Sequence, residues 1–278
     1  MEFKSKTLGD SVYIEGVGVH TGEICKLIIH PAEGGGIRFF KKGRYLPAHH
    51  RYVINTVAGT DLGNALFEIK TVEHLMAALY LLGISDAVIE VIEGHEVPIL
   101  DGGAKVFVDL FKEVGTVELE GFQKVFVITQ KGRIQPNGNF VEMEPFNGTL
   151  LVYEGIFPYI GRRKVSYSGE IKEALIGART YCNANDVPFL WLNNLGRGGY
   201  IVNTLPLTED LRFLVYSEEP AYHKLLDLVG DLALLGGRVI GKVYSFKGNH
   251  TLNHSLRDWI LKTAKVVERK EAPYLSVI

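Results

Sequence analysis

The chain has 278 residues, 46% hydrophobic and 22% charged, with a formal net charge of −2. This length suits one large domain or two small ones, and the charge balance lacks the basic excess that points to nucleic acid. No apolar run approaches the roughly 18 residues of a membrane span, and residues 1–6 lack the apolar core of a signal peptide. The expectation is a cytoplasmic protein with no transmembrane segment. Its two cysteines, Cys25 and Cys182, fall in no pairing motif, so any metal must be held by His, Asp or Glu.

Residues 11–30 alternate as strands, with Val12, Ile14, Leu27, Ile28 and Ile29 apolar and Gly16, Gly18 and His20 between them. Three glycines at 34–36 read as a turn before a strand at 37–40, and residues 43–60 suit a small β insertion. The spacing then predicts a helix capped by Thr71, running through Leu75, Met76, Leu79 and Leu82 and ending at Gly83. Glu73 and His74 fall in its first turn. Adjacent helical side chains diverge by about 100°, yet at a helix start both can border one site. Glu73 is also explained as a partner of the helix dipole, and His74 as a core histidine. A buried strand at 87–92 follows, then a loop with Glu96, Pro98, Asp101, Gly102 and Gly103. Next comes an amphipathic helix marked by Val106, Phe107, Leu110 and Phe111. Residues 113–122 are charged and contain Gly115 and Gly121, so the linker is placed there.

Strands resume at 124–128 and 140–143, with Asn137-Gly138 as the turn between them, and at 149–153 and 164–167. Residues 178–206 are less regular. A second helix is expected from Ala221, after Pro220, to Gly236-Gly237. In it His223, Asp227 and Asp231 are spaced by four and stack along one side of an otherwise leucine- and valine-rich surface. A buried ionisable stripe needs a reason. The plain one is a satisfied His–Asp pair one turn apart; the sharper one is a cation gripped by an imidazole and a carboxylate. A strand at 242–246, a loop at 248–250 and a last helix marked by Leu256, Trp259, Ile260 and Ala264 complete the chain.

The halves follow one plan: strands, a helix ending in Leu-Leu-Gly (residues 81–83 and 234–236), a short strand, a polar loop and another amphipathic helix. The inferred fold class is α+β, two similar two-layer α/β sandwich domains packed through their ligand-bearing helices. The first domain spans 1–118 and carries the small β insertion, Glu73 and His74. The second spans 122–278 and carries His223, Asp227 and His250. If the two helices meet, His74, His223 and Asp227 give three ligands and one open position, as in a catalytic zinc site. Glu73 could then act as general base and His250 as general acid, with Asp231 holding its other nitrogen. Lys224 adds a cation at the same helix start, or is simply solvated. Two histidines and a carboxylate also describe non-haem iron oxygenases, which usually carry their ligands on strands.

At these residues the chain resembles the UDP-3-O-acyl-N-acetylglucosamine deacetylases. The matching motifs are Thr71-Val72-Glu73-His74, Ala178-Arg179-Thr180, the run from His223 to Asp231, and Gly248-Asn249-His250-Thr251-Leu252-Asn253. Residues 16–22 and 98–102 also match, and all occur in family order from about residue 16 to residue 256. The resemblance implies a zinc amidase of lipid A synthesis that removes acetate from UDP-3-O-(3-hydroxyacyl)-N-acetylglucosamine. It implies Zn2+ on His74, His223 and Asp227, Glu73 as base, and His250 as acid or oxyanion stabiliser oriented by Asp231. It further implies Thr180 on the oxyanion, Tyr181 in substrate packing, Lys224 near the phosphates, and a βαβ insertion near 178–206 forming an acyl passage. Leu190 and Ile201, with Phe189, Trp191 and Leu192, supply that passage's apolar content. The implied partner is the acylated UDP-sugar; a monomer is expected, with transient membrane-surface contact through the lipid chain.

Three departures stand out. Residues 55–59 lack the His or Cys of some relatives, notably at Val57-Ala58, so no second-metal role is assigned there. Gly103 stands where relatives often have Ser, and Tyr181 replaces a common Phe. Two other readings stay open: a metal-dependent deacylase of another acylated sugar nucleotide, and a non-catalytic binding protein of the same fold.

Overall fold

Alternating buried and exposed residues build two large sheets, beside three smaller ones, in a computed structural model that describes residues 3–268. Met1, Glu2 and residues 269–278, expected at the ends of the two domains, lie outside the described residues. The first sheet has the order Val12–Val17, Ile24–Pro31, Ala87–Glu93, Ile37–Lys41, Arg44–Pro47. It is antiparallel except where Ala87–Glu93 runs parallel to Ile37–Lys41. In Ile24–Pro31, Cys25, Leu27 and Ile29 are fully buried and their neighbours are not, the signature of a sheet with one face on the core.

The second sheet is built around Gly237–Phe246, parallel to Lys124–Val127 and Thr149–Phe157 and antiparallel to Phe140–Glu144. The central strand begins five residues before the expected one at 242–246. Gly237 makes this possible: a Cβ there would lie 2.6 Å from the Lys124 carbonyl oxygen, so only glycine lets the strands approach. Asn137-Gly138, both at positive φ, close a hairpin onto Gly132–Ile134, a short strand absent from the sequence reading.

Between the sheets lie the helices: α1 (Glu73–Leu82), α2 (Lys105–Val114), α5 (Glu219–Ala233) and α6 (His250–Thr263), with the short α3 (Glu173–Ile176) and α4 (Val187–Leu192) outside the main pairs. α1 is buried from Glu73 to Leu81, and α5 almost throughout. The two pack on each other, α2 beside α1 and α6 beside α5. One apolar cluster runs from Leu27, Ile29 and Phe39 of the first sheet through Leu75, Leu79, Leu225 and Leu228 to Val239 and Val243 of the second. The architecture is α+β, with its two long buried helices meeting face to face. At their crossing a Cβ on Gly230 would sit 2.0 Å from the Glu73 carbonyl oxygen, so glycine alone permits this approach.

The chain departs from the sequence reading in two further places. α5 starts at Glu219 with Pro220 inside its first turn, where a missing N–H is harmless, and it ends at Ala233, before Gly236. Thr116–Phe122, read as linker, is a strand paired antiparallel with Lys4–Leu8. Its charges reflect an exposed two-stranded ribbon, with Glu118 paired to Lys6, rather than a lack of structure. Thr180–Asn183 runs parallel to Thr204–Leu207 with α4 between them, a small βαβ unit on the flank of the second half.

Candidate active site

His223 and Asp227, one turn apart on α5, face His74 from the first turn of α1. Each imidazole Nε2 lies 3.5 Å from Asp227 Oδ1, and the rings stand edge to face at 5.0 Å. All three residues are at most 4% exposed. His223 Nδ1 donates to the Ala178 carbonyl oxygen at 3.1 Å, which leaves the Nε2 lone pair facing inward. Among the described residues, Asp227 Oδ1 meets no hydrogen-bond donor and His74 Nδ1 has no hydrogen-bond partner. A buried carboxylate oxygen so placed is costly unless a cation meets it. Ligands about 2.0–2.1 Å from a tetrahedral centre stand roughly 3.3–3.5 Å apart, so this donor set fits a zinc-sized cation.

The electrostatics of His223 and Asp227 agree with that fit, while His74, on its protein neighbours alone, leans toward its protonated form. Burial pushes the His223 imidazole down to about 3, keeping it neutral. Burial opposes ionisation of Asp227, but His223, Lys224 and His250 outweigh it and hold the carboxyl well below the usual range. Burial also lowers His74, and Asp227 and Glu73 more than restore it. Lys224 Nζ donates to Asp227 Oδ2 at 2.8 Å and lies 5.6 Å from the Tyr181 ring centre. Its ammonium is therefore tied to the cluster rather than free in solvent.

Glu73 and His250 flank the cluster. Glu73 Oε2 accepts the Thr60 N–H at 2.9 Å, while Oε1 stands 3.9 Å from His250 Nε2. Burial raises the Glu73 carboxyl, and His250 and His74 only partly offset it. His250 opens α6 directly after its cap Asn249, whose side chain accepts the Leu252 N–H, so it is helical rather than in the expected loop. His250 Nδ1 meets Asp231 Oδ2 at 2.9 Å, and Nε2 lies 3.7 Å from Asp227 Oδ2. Burial alone would lower this imidazole; Asp231, Asp227 and Glu73 instead raise it to about 9. Glu73, Asp227 and His250 also converge closely enough to hold a cation, but they share Asp227 with the first group and belong to the same site.

A cavity of about 520 Å³ opens onto these groups, lined also by Thr56, Ala58, Thr180, Tyr181, Leu190 and Lys224. An apolar pocket of about 110 Å³ continues from it along Tyr181, Val187, Leu190 and Trp191. A larger cleft of about 630 Å³ lies on the outer face of the second sheet. Its charged groups pair with one another, as Arg133 does with Glu142 and Lys242 with Glu144, and it holds none of the groups above. Ile201 is not among the residues lining either site cavity; it is 53% exposed and offers its carbonyl to Arg179. Phe189 and Leu192 also point outward, at 66% and 84% exposure.

Thr71 does not cap α1. The cap position is Val72, without a side-chain bond, and Thr71 adopts a φ of 55°. Its hydroxyl donates instead to Glu96, a fully buried carboxylate that also accepts the N–H groups of His20 and Thr21 and the Thr21 hydroxyl. The sequence reading missed this hub, as well as Thr60, Asn253 and His254. One signal was available: His250, Asn253, His254 and Arg257 recur at helical spacing and form a buried polar face on α6.

A family model for UDP-3-O-acyl N-acetylglycosamine deacetylase matches residues 5–262. Similar proteins named UDP-3-O-acyl-N-acetylglucosamine deacetylase include one from Aquifex aeolicus, 41% identical and covering 98% of both chains. Another, from Nautilia profundicola, is 35% identical over 91% of this chain and 90% of its own. A third, from Wolinella succinogenes, is 33% identical over 95% of this chain and 93% of its own. The chain belongs to the UDP-3-O-acyl N-acetylglycosamine deacetylase family and is an enzyme, a deacetylase.

Proposed function

We propose that this deacetylase hydrolyses the N-acetyl group of UDP-3-O-(3-hydroxyacyl)-N-acetylglucosamine, giving the free amine and acetate, in lipid A biosynthesis. Family membership over nearly the whole chain supports the substrate class. The observation that carries the chemistry is the convergence of His74, His223 and Asp227, with one carboxylate oxygen lacking a donor, between Glu73 and His250.

His74, His223 and Asp227 would hold the metal, which we take to be Zn2+ from the two-imidazole, one-carboxylate donor set. When bound, such an ion acts as a Lewis acid toward the amide carbonyl and makes water easier to deprotonate. Glu73 takes the proton from the attacking water on Oε1, because Oε2 is engaged by the Thr60 N–H. Its raised pKa moves the carboxylate toward the operating pH, where a general base works best. Water oxygen bonds to the acetyl carbon, and the C–N bond then breaks. His250 gives its Nε2 proton to the leaving amine; Asp231 on Nδ1 fixes the ring and favours the protonated form. We assign to Thr180, on the cavity wall, a hydrogen bond to the developing oxyanion, and Lys224 offsets the Asp227 charge. Tyr181 and Leu190 line the entry to the apolar pocket that we assign to the acyl chain.

The test is acetate release from the acylated nucleotide by purified protein, with and without a chelator. We expect turnover that the chelator abolishes and added Zn2+ restores. Failure of metal-loaded protein to release acetate would overturn the assignment.

A further inference from the structure

Behind the site, a row of buried polar groups has its donor order fixed by valence. Arg257 Nη1 lies 2.6 Å from His254 Nδ1. A guanidinium only donates, so Nδ1 must accept and the His254 proton sits on Nε2. His254 Nε2 is 3.1 Å from Thr60 Oγ1, which therefore accepts there and spends its single proton on Asp231 Oδ1 at 2.6 Å. Asp231 Oδ2 accepts from Asn253 at 2.8 Å and from His250 at 2.9 Å. Thr60 and Asp231 are fully buried, and His254 and Arg257 nearly so. Only the far end, where Arg257 pairs with the half-exposed Asp258, meets solvent. Thr60 is also the residue whose N–H binds Glu73, so one residue grips the carboxylates on both sides of the reacting centre.

We propose that Thr60, His254 and Arg257 are positioning residues: a one-way hydrogen-bond chain that fixes the Asp231 carboxylate and, through it, the aim of His250 Nε2 into the cavity. This rests on the role given to His250 above. Burial and the neighbouring guanidinium disfavour protonation of His254 against the pull of Asp231, as the donor order requires. A protonated His254 would face Arg257 donor to donor and break the chain at its first link.

Two measurements on metal-loaded protein test this. In nitrogen-15 NMR of labelled histidines, His254 should be the neutral Nε2–H tautomer at neutral pH; an Nδ1–H or doubly protonated ring would overturn the chain. Thr60→Val keeps the shape and the backbone N–H but removes the hydroxyl. It should shift the His250 Nδ1 resonance and lower kcat roughly tenfold at unchanged KM, the loss expected from about one buried hydrogen bond. Thr60→Ser should restore both. A Val variant with wild-type kcat and an unmoved His250 signal would refute the proposal. If wild-type protein does not deacetylate the nucleotide, the functional assignment falls, while the tautomer and the His250 signal still decide the chain.

Discussion

Gly230→Ala tests whether the two halves of the site are set by the helix crossing itself. In the middle of a helix, alanine is favoured over glycine by about 1 kcal/mol, so at a loose crossing this change would stabilise the protein. Here the new Cβ would stand 2.0 Å from the Glu73 carbonyl oxygen and 3.0 Å from its Cα. Both are backbone atoms that cannot rotate aside. Reaching an ordinary contact of 3.4 Å requires α1 and α5 to part by about 1.4 Å. That movement carries Glu73 and His74 away from Asp227 and Asp231, because the obstructed residue is Glu73 itself. Overpacking a core typically costs about 1–3 kcal/mol, and for a chain of this size each kcal/mol lowers Tm by about 2–4 °C. The expected result is a Tm lower by roughly 2–12 °C, a weaker hold on the proposed metal, and kcat reduced on the order of 10²-fold, as displacements near 1 Å can cause. Calorimetry, competition with a chromogenic chelator and acetate release measure the three. A raised Tm with unchanged zinc retention would show that the helices part freely and that the crossing does not set the site.

Other changes reach different parts of the same machinery. Glu73→Gln should keep the proposed metal and its substrate affinity while losing on the order of 10² to 10⁴ in kcat, checked by metal content, Kd and turnover; near wild-type kcat would refute the proposed base role of Glu73. His223→Ala should lose most of its bound metal, seen by elemental analysis, because two ligands make a poor site. Gly103→Ser would put its Cβ 2.4 Å from the Ile176 carbonyl oxygen, beside the Ala178 carbonyl that His223 Nδ1 uses. A loss of about 1–3 kcal/mol in a denaturant melt is expected. Burial, and then His50, Arg51 and other cations, depress His49 to about 4. The unfolded chain therefore binds the proton first on acidification. The His49 contribution is whole above pH 6.5 and is lost as pH falls from about 6.5 to about 4. It is on the order of 1 kcal/mol once partial exposure is allowed for, and His49→Gln should flatten that stretch of the stability–pH curve.

The helix carrying His223, Asp227 and Asp231 was legible because an ionisable residue every fourth position inside a run of leucines has few structural explanations. The meeting of His74 with His223 and Asp227 followed from the shared plan of the two halves. What stayed hidden depends on partners remote in sequence. Nothing local marks Thr60, whose neighbours Asp231 and His254 come from the other half of the chain. Thr71 reads as a helix cap until Glu96, 25 residues on, claims its hydroxyl. A six-residue apolar stretch such as α4 does not reveal which side faces the cavity. Leu190 does, while Phe189 and Leu192 face outward, a distinction that only the surrounding βαβ unit decides. Charged residues near Glu118 concealed a strand because an exposed ribbon and a linker share one composition.

The chain has two tryptophans, and the fold separates their surroundings. Trp259, on α6, lies against Gly132, where an added Cβ would meet its ring at 2.5 Å, so it senses the packing of the second half. Trp191 is 62% exposed yet also lines the apolar pocket beside Leu190. An indole so placed is an optical probe of pocket filling, since an aliphatic chain entering the pocket would displace water from one ring face and move its emission to shorter wavelength. With Trp259→Phe leaving a single emitter, occupancy could be followed by stopped flow before any bond breaks, separating filling of the pocket from the chemistry that follows.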